Sequence, residues 1–530
     1  MADSGAGGDG AGLWLGMRER GVKLAPRIGF PRAAAKLLPL QRSAHCRHPV
    51  GNIPMPVAAM TRTFSLLLAC CLSLPMSAPS RPAPSVSGEE STTPDARAVL
   101  DAWLEAFNSG ERARMEAFRD RHQPKMDVDR LLGFRAETGG LALIRHEPAD
   151  EGKARALVQE RDGETIARIE IALVPGEPVQ LRIQRIERPD DLRIPRLSQA
   201  EAIDALVAKA DADAAKDAFS GVLLVAQDGD VLLHRAWGLA DREAGTPVAL
   251  DTKFRIGSMN KMFTAVATLQ LVQAGKLSLD GTVGQYLPGY PNAGVAQATI
   301  RQLLTHTGGA GDIFGPEFDQ HRLSLRTHDD YVRLYGTREP THPPGQEQRY
   351  SNYGFVLLGA IIERVSGESY HDYMANNVFV PAGMRDTGSE PETVAVPGRA
   401  HGYMRKDGAW VDAGETLPWR GTAAGGGYST ANDLLKFARA LQAGTLLSPA
   451  LLAEATGRQA SGYGYGFASG EDEGVAFHGH GGGAAGMNAE LRVYPALGRV
   501  VVGVSNLDPP VMERMLSYYM LRMPLDMPSR

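Results

Sequence analysis

Three short clusters in the C-terminal two-thirds of the chain carry side chains suited to attack on a carbonyl. The first is FRIGSMNKMFTAVATLQLVQAG, residues 254–275, in which Ser258 and Lys261 stand three apart. Positions i and i+3 share one face of a helix, so the amine is expected to reach the hydroxyl. A serine hydroxyl is a weak nucleophile until a base takes its proton. After Ser258 and Lys261, and apart from Asn260, Thr264, Thr268, Gln270 and Gln273, the stretch from Gly257 to Gly275 is apolar, which predicts a buried helix between those glycines. Burial and the positive helix end both push a lysine toward its neutral, proton-accepting form. The N–H groups at the same helix end point toward a developing oxyanion. A lone Ser-x-x-Lys also has a plain reading, two polar residues on the first turn of an ordinary helix, so the decision rests on the remaining parts.

The second cluster is Tyr350-Ser351-Asn352, placed just before an apolar run that ends near Gly367. A phenol beside a cationic lysine is expected to ionise more easily and to relay protons. Asn352 offers a substrate amide both a donor and an acceptor. A second Tyr-x-Asn, Tyr290-Pro291-Asn292, sits among prolines and reads as a turn. The third cluster, FHGHGGGAAGMNAELRVYP, contains His480-Gly481-Gly482 leading into a strand. Glycines there let substrate lie along the strand edge, with the Gly483 N–H facing the reacting carbonyl. Gly481, Gly483 and Gly486 also spell a dinucleotide fingerprint, but that motif needs a helix after it and here a strand follows. His478 and His480 form a poor metal site, with no suitably spaced acid and no cysteine nearby. No cofactor is expected.

These clusters, in this order, resemble the serine β-lactamase and penicillin-binding-protein superfamily, in particular the class C β-lactamase-related esterases and D-amino-acid peptidases. Ser258 and Lys261 match its S-x-x-K, Tyr350 to Asn352 its Y-x-N, and His480 to Gly482 the place of its K-T-G or H-x-G. IRQLLTHTGG (300–309) and AAGGGYSTANDLLKFARAL (423–441) are similar to family segments. The first reads as a helix closed by a glycine turn, with His306 a structural hydrogen-bonding residue. The second reads as a glycine loop entering a helix, with Thr430 and Asp433 as a capping box. The resemblance implies an α+β fold, an antiparallel sheet flanked by helices with a helical lobe, over about residues 218–525. It implies a serine hydrolase acting on a small ester, β-lactam or peptide through an acyl-enzyme. Ser258, Lys261 and Tyr350 would be catalytic, the Ser258 and Gly483 N–H groups the oxyanion hole, and Asn352, His480, Gly481 and Gly482 substrate-binding. A neutral His480 in place of a lysine disfavours carboxylate-bearing β-lactams. The alternative on the same fold is a catalytically silent cell-wall or penicillin-binding protein.

The elements that must position these groups follow from the hydrophobic pattern. SGVLLVAQDGDVLLHRAWG predicts a hairpin turning at Asp228-Gly229. ELRVYPALGRVVVGVSN predicts another, followed by a closing helix at about 511–523. An Ala/Asp/Lys-rich helix is expected at about 199–217, after a linker beginning near 189. Residues 95–188 read as a small α+β accessory domain. A helix over 95–107 carries Val99, Leu100, Trp103, Leu104 and Phe107 on one face, and a second helix lies near 111–119. Four alternating strand-like runs follow, a pattern similar to nuclear-transport-factor-two-like domains. The net charge of −5 over 530 residues and the lack of a dominant basic patch argue against nucleic acid as a partner. Residues 60–80, MTRTFSLLLACCLSLPMSAPS, have the form of a secretory signal, so export to the periplasm or medium is expected. LLAC ending at Cys70 also allows a lipid anchor. Residues 81–94 read as a linker, and residues 1–59 carry no fold and suit a start placed too early. All three cysteines, Cys46, Cys70 and Cys71, fall in this leader region.

Overall fold

The computed structural model describes residues 95–406, 408–459 and 462–526. The 1–59 stretch, the expected signal segment, the possible anchor at Cys70, the 81–94 linker and the three cysteines lie outside the described residues.

The N-terminal part is a four-stranded antiparallel sheet with three helices, α1 (Ala96–Ser109), α2 (Arg112–His122) and α3 (Val128–Thr138). Its strands are β1 (Leu141–Glu147), β2 (Lys153–Glu160), β3 (Ile166–Ala172) and β4 (Gln180–Ile186), paired in chain order. The apolar face read from the sequence is buried: Leu100, Trp103 and Phe107 have no exposed surface and pack with Ala156, Val158, Ile169 and Ile171. Helix α3 was not anticipated. Its sequence, VDRLLGFRAET, is weakly patterned, and its capping by the Asp127 side chain is a local signal that the strand-like runs after it outweigh.

After α4 (Gln199–Ala215) comes a six-stranded antiparallel sheet. Its strands are β5 (Gly221–Gln227), β6 (Asp230–Trp237), β7 (Ala468–Asp472), β8 (Val475–Ala484), β9 (Met487–Tyr494) and β10 (Arg499–Ser505), in the spatial order β7-β8-β9-β10-β5-β6. The first and last strands of this region in sequence therefore share one sheet. The hairpin between β5 and β6 turns with Asp228 and Gly229 both at positive φ, as a two-residue turn of matching twist requires. Side chains alternate across the sheet. Val222, Leu224, Val500, Val502 and Val504 face the helical lobe, while Leu223, Val225 and Val501 face α4 and the closing helix α8 (Val511–Met520). Both faces are covered, which is why these strands read as nearly unbroken apolar runs.

The lobe contains α5 (Asn260–Gln273), α6 (Asn352–Ser366) and α7 (Ala431–Gln442). Helix α5 corrects the expected start: it begins at Asn260, and Gly257–Met259 form a preceding 3-10 turn that carries Ser258. The tighter turn still places serine and lysine side by side. The proposed capping box of α7 is only half made. Thr430 accepts a hydrogen bond from the Asp433 N–H at 3.1 Å, but the Asp433 carboxylate turns away to accept from Asp386 N, Thr387 Oγ1 and Lys436 Nζ. The turn expected at Tyr290-Pro291-Asn292 falls just before it, closed by Tyr290 N donating to Leu287 O at 3.1 Å; the motif itself bends at Pro291, and Asn292 caps a short helix by accepting from Val295 N.

Candidate active site

The centre of the site is the Ser258 turn, gripped from two sides by main chain. Gly257 has φ of 52°, a left-handed conformation suited to glycine. A Cβ on Gly257 would meet Gly483 N at 3.0 Å, and a Cβ on Gly482 would meet Ile256 O at 1.8 Å. Strand β8 therefore runs directly against the nucleophile turn, with the Gly483 nitrogen beside it. On the other side, Gly426 N donates to Gly257 O at 3.2 Å, and Ile256 N donates to Gly427 O at 3.3 Å. The His480-Gly481-Gly482 motif lies inside β8 rather than ahead of it, and Gly486 falls in the hairpin turn that follows. From behind, Asn488 Nδ2 donates to Gly482 O at 3.1 Å while Asn488 Oδ1 accepts from Met512 N, tying β8 to α8.

Lys261 is wholly buried. Its Nζ lies 3.2 Å from Ser258 Oγ and 2.8 Å from Asn352 Oδ1, and it also donates to the Ala424 carbonyl. The last two partners only accept. A neutral amine thus spends two N–H bonds on them and turns its lone pair toward the serine hydroxyl. Burial brings the Lys261 pKa down to about 7, and the carboxylate of Asp312 opposes that fall.

Tyr350 packs its ring 4.6 Å from Lys261 Nζ, a cation–π distance when the amine is charged. Its hydroxyl oxygen is buried and finds no well-aligned partner among the described residues, although it lies close enough to Ser258 for that contact to favour the phenolate slightly. Burial dominates and drives the phenol far above its ordinary value. This overturns the expectation of an easily ionised Tyr350: the group that changes charge near neutrality is Lys261.

His480 Nδ1 donates to Gly481 O at 2.5 Å, which leaves Nε2 as a buried acceptor without a partner among the described residues. Burial first, then the Lys261 charge, lowers its pKa to about 3, so the ring is neutral. His306 has the structural role expected of it. It accepts from Ser351 N at 3.1 Å and packs against Tyr350 with centroids 4.3 Å apart and planes tilted by 34°. The sequence reading missed Asp312, the Ala424 carbonyl and Tyr463, whose ring stands between those of His306 and His480. The only sequence signal for Asp312 is an acid alone in the glycine-rich stretch GGAGDIFG.

The structure thus gathers Ser258, Lys261, Tyr350, Asn352, His480, Gly481, Gly482 and Gly483 at one place. The Beta-lactamase family matches residues 202–522. Esterase EstB of Burkholderia gladioli is 35% identical over 277 residues, covering 46% of this chain and 70% of the esterase. Penicillin-binding protein 4* of Bacillus subtilis is 35% identical over 175 residues, which span 32% of this chain and only 38% of that relative. The crystal structure of a penicillin-binding protein from Bacillus halodurans is similar at a TM-score of 0.54 and 31% identity, over 58% of this chain and 98% of that one. The D-amino acid amidase of Ochrobactrum anthropi SV3 is similar at 0.51 and 27%, over 57% and 92%. The arrangement of sheet, lobe and Ser-x-x-Lys turn and the extent of the family match agree, and the chain belongs to the Beta-lactamase family of serine hydrolases.

Proposed function

We propose that this chain hydrolyses esters or amides through an acyl-enzyme on Ser258. The observation that carries the reading is the three-way setting of Lys261 Nζ, with two acceptors fixing its hydrogens and Ser258 Oγ left for its lone pair. Neutral Lys261 takes the hydroxyl proton as Ser258 Oγ bonds to the substrate carbonyl carbon. The resulting oxyanion is held by the N–H groups of Ser258 and Gly483. As the bond to the leaving atom breaks, that atom takes a proton from the Tyr350 hydroxyl, and Lys261 restores it. The amine is then neutral again, and the same pair takes a proton from the water that attacks the acyl carbon and gives it to Ser258 Oγ as the acyl–Oγ bond breaks. The neutral His480 supplies no cation for a substrate carboxylate, which favours esters and amides without one near the reacting bond. The segment 60–80 is proposed to direct export.

The test is intact-mass analysis after exposure to a fluorophosphonate, activated esters and β-lactams. A single adduct is expected on the wild type. Ser258→Ala is expected to lose it and to lower ester turnover by about 10⁴-fold or more. A protein that is neither labelled nor active is the silent binding protein instead.

A further inference from the structure

The loop that follows His306 is fastened to the Tyr350-Ser351-Asn352 segment by a row of hydrogen bonds. Arg349 N donates to His306 O at 2.9 Å, Ser351 N to His306 Nδ1 at 3.1 Å, and Ser351 Oγ to Gly311 O at 2.5 Å. At the end of this row, Asn352 Nδ2 donates to Asp312 Oδ1 at 2.9 Å. That carboxylate oxygen also accepts from Ile313 N at 2.7 Å, which holds it in place. The other end of the same amide accepts from Lys261 Nζ at 2.8 Å. Carboxylate, amide and amine therefore form one chain. The amide has a single workable orientation in it, because the reversed one would set its NH₂ against the amine and its oxygen against the carboxylate. Asn352 is buried, whereas Asp312 is exposed.

The groups around Lys261 come from five segments. Its own turn gives Ser258, and the 350–355 stretch gives Tyr350, Asn352 and Phe355. The glycine loop gives the Ala424 carbonyl, β8 gives His480, and the loop after His306 gives His306 itself and Asp312. Both imidazoles are neutral, driven down by burial. Among the described residues in this set, Asp312 is the one anion.

We propose that Asp312 is a positioning residue that locks Asn352 with its oxygen toward Lys261, and whose negative charge retains the lysine proton until the pH rises. The proposal rests on the hydrolase reading above and assigns the control of its base. The two actions separate in two variants. Asp312→Asn keeps an acceptor for the Asn352 amide and removes the charge. Asp312→Ala removes both.

The readout is the titration of the Lys261 ε-carbon by NMR in ¹³C-lysine-labelled protein, with the resonance identified by its loss in Lys261→Met. The pH profile of activated-ester turnover is measured alongside. In both Asp312 variants the Lys261 midpoint is expected to fall by about half a unit to one unit, as loss of a partly screened neighbouring anion requires. The rising limb of kcat/KM should move with it. Plateau kcat should stay within about threefold in Asp312→Asn and drop about tenfold or more in Asp312→Ala, where the amide is free to turn. A Lys261 midpoint that does not move in either variant overturns the charge role. Equal plateau rates in the two variants overturn the positioning role. Absence of ester turnover in the wild type would strike the hydrolase reading, while the NMR titration would still judge Asp312.

Discussion

At the scale of single residues, the assignment of acid and base follows from which group can change charge at neutral pH. Lys261 titrates at about 7 because it has no contact with solvent. Tyr350, buried at its hydroxyl, stays protonated. Catalysis that needs a neutral amine is lost as pH falls through the lysine pKa, so kcat/KM is expected to rise with pH around a midpoint near 7. Tyr350→Phe should lower turnover by about 10²–10³-fold and leave that midpoint in place, since the phenol is not the titrating group. A profile whose limb vanishes in Tyr350→Phe would assign the base to the phenol. The same chemistry separates what the motifs disclosed from what they hid. Ser258, Lys261, Tyr350 and Asn352 were legible because short spacings tie them to their helices. The sign of the Tyr350 shift was not, because it depends on burial by His306 and by segments far away in sequence. Asp312 was hidden for a similar reason: its importance comes from one contact across 40 residues.

At the scale of elements, the site depends on how closely three pieces of main chain approach. Strand β8 can lie against the Ser258 turn only because position 482 has no side chain. Gly482→Ala would place a methyl 1.8 Å from Ile256 O, with backbone on both sides unable to yield. The substitution is expected to lower the melting temperature by several degrees and to cut acylation of Ser258 about 100-fold or more, since the oxyanion donors would be pushed apart. Unchanged labelling kinetics in a folded Gly482→Ala protein would rule out this picture of the clamp. Element identity was well marked in the sequence where period and turn residues agreed, as in the β5–β6 hairpin at Asp228-Gly229. It was poorly marked where a tertiary contact decides. The Asp433 side chain follows a capping pattern in sequence, yet the Asp386 N–H and Lys436 compete for it and win.

At the scale of the whole molecule, the N-terminal sheet has its own closed core of Trp103, Phe107, Ile169, Ile171 and their neighbours. Its ties to the sheet that carries the site include polar ones. Glu164 accepts from Arg522 at 2.7 Å, and Asp162 lies 4.0 Å from Arg514. By contrast Arg196 and Leu197 belong to the catalytic side, with Leu197 N donating to Arg522 O at 2.7 Å. A chain begun at Arg193 is therefore expected to fold and to keep ester turnover within about threefold, with a modest loss of stability from the missing ion pairs. Loss of labelling at Ser258 in that shortened chain, despite native circular dichroism, would show that the N-terminal sheet takes part in the chemistry.

The closed N-terminal core has a consequence for how such a protein can change over time. A recombination breakpoint between Ile186 and Arg196 would divide no buried apolar cluster among the described residues. The front module can be exchanged for another while the reaction centre is inherited intact, and a replacement with an acidic group facing Arg522 would also restore the lost ion pair.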